Sequence, residues 1–519
     1  MEFNNPSEIV KDINFGGEAR EKMLNGVEKL ANAVSSTLGA SGRCVIYEDA
    51  MGKPVITKDG VTVAESVVLQ DPLESIGATL IKEAAKNTVK EAGDGTTTAT
   101  VLSHAILRGA YDVIDQVSLR ELKSDIENAS KKVIKYLDSI KIDVSGTMLN
   151  SVANISTNND VELAKVISDA FEAVGESGVV LMEESETDIT YTEVVDGVQF
   201  DSTLKSPYLI TDKDKERAEL QKPYVLIVDS PIPNIRRIQN ILEFVIKQNR
   251  SILIVAEVEQ QPMQALLMNK VKGNIKINII DPPGFGPTRR DTLEDLAAIT
   301  GAKVISEELG DDVETLTPEV LGEVDKAVTD SKNTIITVSE VNEEVADRLS
   351  QAEAKLKSET NPFFKKKIEQ RVAMLSGKVG IVRVGANSKI ELKEKKDRVE
   401  DAIYAVKAAI KEGIVPGGGI ALLSASNKFL NDKSSIGEKV LLEAIKAPFN
   451  TIMSNADMFI MEPQFKKGYG INVVTGKSVN MIKTGIIDPL LVTKTALKNA
   501  VSVASTIISA DAVISNVRM

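Results

Sequence analysis

Cysteine and histidine each occur only once in this sequence of 519 residues, as Cys44 and His104. A single cysteine excludes a disulfide within the chain and fits a reducing compartment. Metal sites built from several cysteine or histidine ligands are also excluded, so a metal here would be a hard cation bound by oxygen atoms. A catalytic Cys/His pair would need these two residues alone, and His104 lies in an apolar helical run, so we expect none.

An excess of basic residues is also missing, because 62 lysines and arginines face 75 aspartates and glutamates, for a net charge of -13. Nucleic-acid binding needs a strongly basic face, so we expect no nucleic-acid partner. No apolar run approaches the roughly 18 residues that cross a bilayer, and the N-terminus lacks the pattern of a signal peptide. We therefore expect a soluble, cytoplasmic protein with no membrane partner.

The texture of the sequence changes along the chain, and its length predicts two or three domains. Apolar residues recur at helical spacing in the first 140 residues and again after residue 390. Between them, β-branched runs at 224–228, 251–255 and 276–280 alternate with helical segments, which is typical of an α/β domain. This order suggests that the two helical ends form one domain into which the rest is inserted.

Two local features follow the first helical segment. Helical spacing over 18–38 ends at Gly39, which we expect in the left-handed C-cap position. Strand-like runs at 44–47 and 55–63 predict a hairpin with Asp59 and Gly60 at its tip or bend. Asp59 is a candidate cation ligand there, although an ordinary hairpin turn explains the same residues.

A carboxylate between two glycines, followed by hydroxyl residues, stands at 93–100 with the sequence GDGTTTAT. Glycines let the backbone approach a ligand, aspartate binds Mg²⁺, and successive N–H and hydroxyl groups at a helix start suit phosphate oxygens. The alternative is a Gly-Asp turn in which the threonines cap the helix that follows. The motif alone leaves both interpretations open.

Several motifs follow one another along the chain: TLGASGR (37–43), VITKDGVTVA (55–64), GDGTTTATVL (93–102), PPGFGPTRR (282–290), VEDAIYAVKAAIKEGIVPGGG (399–419), GYGIN (468–472) and GIIDP (485–489). Together they resemble the group I chaperonins, the GroEL type, over nearly the whole chain. Their order is more specific than any single motif. The chain is identified as a divergent member of this family.

The resemblance implies a multidomain α and α/β fold. A helical equatorial domain is split between the chain ends (1–140 and 412–519), a small α/β intermediate domain covers 141–195 and 380–411, and an inserted α/β apical domain that binds polypeptide covers 196–379. It also implies a homo-oligomer, a seven-membered ring, single or double, that encloses non-native polypeptides and folds them through ATP binding and hydrolysis. The alternative is a ring-forming holdase or scaffold with little ATP turnover.

The resemblance also assigns a site for ATP, Mg²⁺ and K⁺. Asp94 is the expected Mg²⁺ ligand, and the backbone carbonyls of Thr37 and Lys58 are the expected K⁺ ligands. Asp401 resembles the carboxylate that activates the attacking water, with Asp59 as a second catalytic candidate. Without the family, an N-cap of a helix over 402–411 would explain Asp401. The other expected nucleotide contacts are Leu38, Gly39, Gly95, Thr96, Thr97, Thr98, Gly418, Asn472 and Asp488.

An apolar groove on the apical domain is implied as well, for non-native polypeptides and for the mobile loop of a co-chaperonin lid. Methionine is flexible and polarisable, which suits a surface that accepts many sequences. Ordinary core packing is the alternative for each position. The matching residues are Leu204, Tyr208, Leu209, Leu242, Met263, Leu267 and Met268.

Some positions depart from the family pattern. Gln239 stands where the groove usually has a leucine, and Val473 and Val474 replace two alanines beside the base. The segment before Gly468 is shorter, and Asn450 stands where an arginine is usual. The charge pattern that the family uses between rings is therefore missing. A single ring, or a nucleotide-dependent switch between one ring and two, is open.

Overall fold

The spacing of apolar residues predicts the first helix, and helix α1 spans Gly16–Ser35. Its buried residues, among them Leu30 and Val34, lie on one face of the helix. Gly39 has the left-handed conformation, with φ of +85°, but it lies beyond the helix end, where Ser36 is the C-cap. The expected C-cap position of Gly39 is therefore wrong, and residues 36–43 form a separate loop.

A computed structural model of the protein describes residues 10–49, 51–144, 147–157, 159–175, 179–213, 215–284, 287–307, 310–311, 316–339, 343–358, 364, 368, 371–372, 374–375, 377–459 and 465–516. Phe285 and Gly286 of the PPGFGPTRR motif lie outside the described residues. The chain forms two compact units. Unit 1 comprises Met1–Ser168, Glu184–Thr190 and Val384–Met519, and unit 2 comprises Asp169–Glu183 and Tyr191–Arg383. The three-domain division stays a prediction.

The elements follow in chain order. The first part of the chain contains β1 (Lys11–Phe15), α1, β2 (Val45–Glu48), β3 (Pro54–Thr57), α2 (Gly60–Ser66), α3 (Pro72–Ala92), α4 (Thr96–Tyr111), α5 (Leu119–Ile140), α6 (Thr147–Ser156) and α7 (Val161–Val174). The middle part contains β4 (Val179–Glu184), β5 (Tyr191–Phe200), β6 (Ala218–Gln221), β7 (Tyr224–Val228), α8 (Gln239–Lys247), β8 (Ser251–Val255), α9 (Gln260–Val271), β9 (Lys276–Ile280), α10 (Pro287–Thr300), β10 (Val304–Ile305), β11 (Gly322–Glu323), β12 (Lys326–Thr329), β13 (Thr334–Val338), α11 (Glu343–Ser358) and β14 (Lys378–Val384). The last part contains α12 (Lys389–Glu412), β15 (Ile414–Pro416), α13 (Ile420–Phe429), α14 (Ile436–Ala444), α15 (Ala447–Asn455), β16 (Tyr469–Asn472), β17 (Lys477–Asn480), β18 (Ile487–Pro489), α16 (Leu490–Ile508) and β19 (Ala512–Asn516).

Unit 1 is built on packed helices from both ends of the chain. Helix α1 packs against α3 and α4, and helix α16 packs against α3, α4 and α5. Their apolar faces form one core. Strand β1 pairs with β19 in antiparallel register, with Ile13 opposite Ile514. The two ends of the chain therefore fold together, as the order of textures suggests.

The predicted hairpin is confirmed only in part. Strands β2 and β3 pair antiparallel, with Ile46 opposite Ile56. Asp59 and Gly60 do not form the tip of this hairpin, because Asp59 is the N-cap of helix α2. The sequence GVTVAES continues as a helix rather than as a strand, since its start is fixed by hydrogen bonds to the Asp59 carboxylate.

Unit 2 contains two sheets. The strands predicted at 224–228, 251–255 and 276–280 are confirmed as β7, β8 and β9, which pair in parallel. They belong to a five-stranded sheet in the order β10-β7-β8-β9, with β11 also paired to β7. A six-stranded sheet has the order β4-β14-β5-β13-β12-β6. Helices, the five-stranded sheet and the six-stranded sheet thus occur together in this unit, in agreement with the expected mixture of α and α/β structure.

No helix in the described part of the chain combines the length and the apolar character that crossing a membrane requires.

Candidate functional site

Of the five aspartates that line one cavity of about 680 Å³ in unit 1, four were predicted as site residues from the sequence. These four are Asp59, Asp94, Asp401 and Asp488, and we call this space the carboxylate cavity. The structure brings every predicted nucleotide and cation residue to its wall. The others are Thr37, Leu38, Gly39, Lys58, Gly95, Thr96, Thr97, Thr98, Gly418 and Asn472.

The GDGTTT motif places the start of helix α4 at this cavity. The helix begins at Thr96, and its N-cap is Gly95, with φ of +97° and no capping side chain. The alternative interpretation of the motif, in which the threonines cap the helix, is therefore wrong. The first backbone hydrogen bond of the helix runs from Ala99 N to Gly95 O. The earlier N–H groups lie at the positive end of the helix dipole, which suits phosphate oxygens.

Asp59 holds the start of helix α2 and also faces the cavity. Its Oδ1 accepts a hydrogen bond from Val61 N at 3.0 Å. Its Oδ2 accepts from Thr62 N at 2.8 Å and from Thr62 Oγ1 at 2.6 Å. These bonds fix the carboxylate, and its remaining lone pairs can still accept from a cation or a water molecule.

Asp401 lies within helix α12 rather than at its start. The helix begins at Lys389, and the Ser388 side chain is its N-cap. The alternative explanation of Asp401 as an N-cap is therefore wrong. The helix also brings Lys393 and Asp397 to the cavity wall, and these residues were missed from the sequence. Lys393, Asp397 and Asp401 follow one another at intervals of four residues, which places all three on one helix face and was the available signal.

The cavity raises the pKa of its carboxyl groups. Burial raises the pKa of Asp94, and the charge of Asp59 adds to this effect. The pKa of Asp401 is raised well above its ordinary value by burial and by the charges of Asp94 and Asp59. Burial and the charge of Asp94 raise the pKa of Asp488 to about 7, against a hydrogen bond from the Gly418 backbone. A cation between these groups would relieve their repulsion.

The donor set fits Mg²⁺ that is shared with phosphate oxygens. Among the described residues, no three cysteine, histidine, aspartate or glutamate side chains are arranged to hold a metal ion by themselves. Mg²⁺ typically takes one or two carboxylates and completes its shell with water and phosphate oxygens. Asp94 is therefore sufficient as the protein ligand when a nucleotide supplies the rest.

The same wall offers backbone carbonyls for K⁺. In the part of the chain that the structure describes, the carbonyls of Thr37 and Lys58 accept no hydrogen bond. Thr37 is half-buried and Lys58 is exposed, and a carbonyl without a protein donor can accept from water or bind a cation, so these two are available as cation ligands. The residues present thus fit the predicted K⁺ site.

The far part of the cavity is formed by the last third of the chain. The Oδ1 atom of Asn472 accepts hydrogen bonds from Val474 N at 3.0 Å and from Thr475 N at 3.3 Å. Its NH₂ group is consequently the part of the amide that remains to donate to a ligand. Val473 and Val474, which replace the two alanines, line the same wall. The cavity is therefore more apolar beside Asn472 than the family pattern implies.

In unit 2, the predicted groove residues differ in exposure. Tyr208 and Met268 are 66% and 60% exposed, whereas Leu209 and Leu242 are buried in the core. The sequence analysis missed Val271, which is 67% exposed and lies one helical turn beyond Met268. The remaining three residues are partly buried and pack on the same core: Leu204, Met263 and Leu267.

The fold of the chain is that of a chaperonin. It is similar to the chaperonin gp146 from bacteriophage EL 2 (Pseudomonas aeruginosa), crystallised in the presence of ATP-BeFx. Crystal form II gives a TM-score of 0.71 at 23% identity, covering 97% of this chain and 98% of the other. Crystal form I gives a TM-score of 0.65 at 23% identity, covering 98% and 99% of the two chains.

A family model gives the more specific result. Residues 30–518 match the model of the TCP-1/cpn60 chaperonin family. The chain belongs to this family, and the resemblance drawn from the motifs is confirmed.

Proposed function

We propose that the chain is an ATP-dependent chaperonin subunit, an ATPase that captures non-native polypeptides and folds them inside a ring of its own copies. The observation that carries the proposal is the carboxylate cavity. Its wall is formed by the loop after α1, the starts of α2 and α4, helix α12 and strand β16. The presence of ATP-BeFx with the structurally similar gp146 supports a nucleotide as the ligand.

In this proposal, the phosphates of ATP lie at the start of helix α4. The backbone N–H groups and hydroxyls of Thr96, Thr97 and Thr98 donate to them, while Asp94 holds Mg²⁺. Bound Mg²⁺ supplies positive charge that offsets the charge of the phosphate oxygens. Asn472 and Asp488 contact the base and the ribose, which fixes the direction of the nucleotide in the cavity.

Asp401 is the proposed proton acceptor for the attacking water. Burial and the charges of Asp94 and Asp59 raise its pKa, and a cation bound among these carboxylates would favour the ionised form that can accept a proton. Asp59 contributes negative charge beside Asp94, and its hydrogen bonds to Val61 and Thr62 keep it in place. The two carboxylates have different environments, so we assign the base to Asp401 and the cation side to Asp59.

The test of this proposal is the Asp401→Ala variant. We expect ATP turnover to fall by roughly 10²- to 10⁴-fold, with ATP binding largely intact. Asp71→Ala is a matched control, because Asp71 caps helix α3 through Leu73 N and Glu74 N and is absent from the cavity wall. Unchanged turnover in Asp401→Ala would reject the assignment. A wild-type protein without turnover would favour the holdase or scaffold alternative.

We propose that ring assembly uses two exposed β-ribbons of unit 1. Within the described residues, β1 pairs only with β19 and β2 only with β3, so each ribbon has open edges. Both carry exposed apolar side chains, including Phe15 at 66% and Ile46 at 68%. Open edges with apolar side chains favour pairing with another chain.

Light scattering with and without ATP tests the assembly. A mass of seven or fourteen subunits supports the ring and decides between one ring and two. Phe15→Asp and Ile46→Asp should reduce the mass, whereas Val161→Asp, at a residue that is 67% exposed on helix α7, should leave it unchanged. A mass that is unaffected by the first two changes would contradict this use of the ribbons.

Polypeptide binding is proposed for the surface of unit 2 that carries Tyr208, Met268 and Val271. Burying a few hundred Å² of such surface at about 25 cal/mol per Å² yields several kcal/mol, enough to hold a misfolded chain. The mobile loop of a co-chaperonin lid would use the same surface. Competition between an unfolded polypeptide and such a loop for binding tests this shared use.

A further inference from the structure

We propose that Asn455, the last residue of helix α15, positions the loop after helix α1 and thereby sets the affinity of the carboxylate cavity for nucleotide and for K⁺. This inference rests on the proposed function, because it assumes that ATP and K⁺ bind there. Asn455 does not line the cavity itself. It acts through the loop at residues 36–39, so it is a positioning residue.

The contact is made by a single side-chain amide. Asn455 Nδ2 donates to Ser35 O at 2.9 Å and to Leu38 O at 2.9 Å. An amide NH₂ has two hydrogens, so both are used on this loop. One turn earlier, Ile452 packs so closely on Gly39 that a β-carbon there would be 3.1 Å from Ile452 Cγ1 and Cγ2. Helix α15 therefore holds the loop by hydrogen bonds and by packing.

Hydrogen bonds also fix most of the carbonyl groups of this loop. Ser36 O accepts from Arg43 N at 2.8 Å, and Gly39 O accepts from Gly42 N at 2.9 Å. Asn455 binds the carbonyls of Ser35 and Leu38. Among the carbonyls of residues 35–39, which the structure describes, only that of Thr37 accepts no hydrogen bond. The loop is thus held on both sides of the carbonyl that is expected to bind K⁺.

Gly42 also restricts the position of the Thr37 carbonyl oxygen. A β-carbon on Gly42 would come within 2.1 Å of Thr37 O, so a larger residue would displace that oxygen. Two independent features, the Asn455 amide and the bare α-carbon of Gly42, therefore define the position of Thr37 O. Changes at either residue should have the same effect on cation binding.

The experiment measures binding of a non-hydrolysable ATP analogue to the purified full-length assembly by calorimetry, with Mg²⁺ present and K⁺ varied against Na⁺. Asn455→Ala removes the two donors, and Asn455→Asp places a carboxylate against two carbonyl oxygens. We expect both variants to weaken nucleotide binding at least 10-fold and to raise the K⁺ concentration for half-maximal binding at least 10-fold. Gly42→Ala should raise the K⁺ requirement in the same way.

Asn450→Ala is the matched control, because Asn450 lies on the same helix but lines a different cavity, together with Arg108 and Lys439. It should bind nucleotide and K⁺ like the wild type, and melting curves without nucleotide should show that every variant used is folded.

Wild-type behaviour of Asn455→Ala would overturn the proposal, as would equal losses in Asn450→Ala. A lower affinity with an unchanged K⁺ requirement would also reject it, since general loosening would explain that result. If the Asn455 variants do not fold, Gly42→Ala decides alone. A wild type that binds no nucleotide would instead refute the proposed function.

Discussion

Gly60 and Thr97 lie so close together that a β-carbon on Gly60 would come within 2.2 Å of Thr97 Oγ1. Gly60 is the first residue of helix α2, and Thr97 is in the first turn of helix α4. This contact brings the segment of Asp59 next to the segment of Asp94. A bare α-carbon at residue 60 therefore leaves room for the Thr97 hydroxyl between the two segments.

We predict that Gly60→Ala weakens ATP binding by about 10-fold. The added methyl group forces the Thr97 hydroxyl, a proposed phosphate donor, out of its position. Loss of a hydrogen bond to a charged group costs roughly 1.5–3 kcal/mol. Gly17→Ala is the control, because Gly17 is also in a helix and a β-carbon there would meet nothing within 4 Å. Titration of ATP with each variant tests the prediction. Equal affinities for the two variants would contradict it.

Gly93→Ala should lower turnover rather than binding. A β-carbon on Gly93 would lie 2.4 Å from Tyr404 Cβ, and Tyr404 lies one helical turn after Asp401 on helix α12. The added methyl group should push this helix away and displace Asp401 from the cavity. We expect turnover to fall about 10-fold or more, with ATP affinity within about threefold of wild type, because a small misplacement of a catalytic group is costly.

Gly93 has φ of +79°, so an alanine there would also strain the backbone. Gly301 has φ of +70°, and a β-carbon there would meet nothing within 4 Å. Gly301→Ala therefore carries the cost of a left-handed alanine, about 1–2 kcal/mol, without the contact to Tyr404. The same loss of turnover in Gly301→Ala would show that strain, not the contact, is responsible.

Stability without nucleotide should depend on pH through Asp488. Its pKa is raised from 3.8 to about 7, mainly by burial. Between pH 4 and pH 7 the unfolded chain has lost this proton while the folded chain retains it, so stability falls as pH rises through this window. The raised pKa of Asp94 acts in the same direction. Asp488→Asn removes the contribution of Asp488 alone.

Melting temperatures at pH 5 and pH 8, without Mg²⁺ or nucleotide, measure this effect. The melting temperature of the wild type should drop between the two values by about 2–6 °C more than that of Asp488→Asn. Partial exposure of Asp488 to the cavity reduces the effect below its full value. Parallel pH dependences of the two proteins would show that Asp488 does not retain a proton in the folded state.

Lys270 should stabilise the segment of unit 2 that carries the exposed Tyr208. Its Nζ donates to Tyr208 O at 2.9 Å and to Ile210 O at 3.2 Å, and burial lowers its pKa. Lys270→Met removes both hydrogen bonds, which should loosen the segment of the exposed Tyr208. We expect the affinity for an unfolded model polypeptide to fall about 3- to 10-fold, whereas exposed Lys272→Met should retain it. Fluorescence anisotropy with a labelled polypeptide would measure both, and identical affinities would contradict the role of Lys270.

Local patterns predicted much of the secondary structure and failed at two carboxylates. Apolar spacing predicted helix α1, and β-branched runs predicted strands β7, β8 and β9, because burial of a face or of a whole strand leaves a pattern in the sequence. Asp59 follows a strand-like run, yet its hydrogen bonds start a helix. Asp401 lies inside a helix whose first turns are mostly charged, so no apolar pattern marked the beginning of that helix.

By itself, the sequence determined the available chemistry and the family. One cysteine and one histidine exclude soft metal sites, and the motifs around Asp94 and Asp401 resemble those of chaperonins. The tertiary structure decided which groups meet, because a cavity is formed by helices that pack across long distances in the chain. Only that packing places Asn455 against the loop of Thr37, buries Leu209 while it exposes Tyr208, and raises the pKa of Asp488 through the charge of Asp94. These properties depend on neighbours in space, and residue spacing within one element carries no information about them.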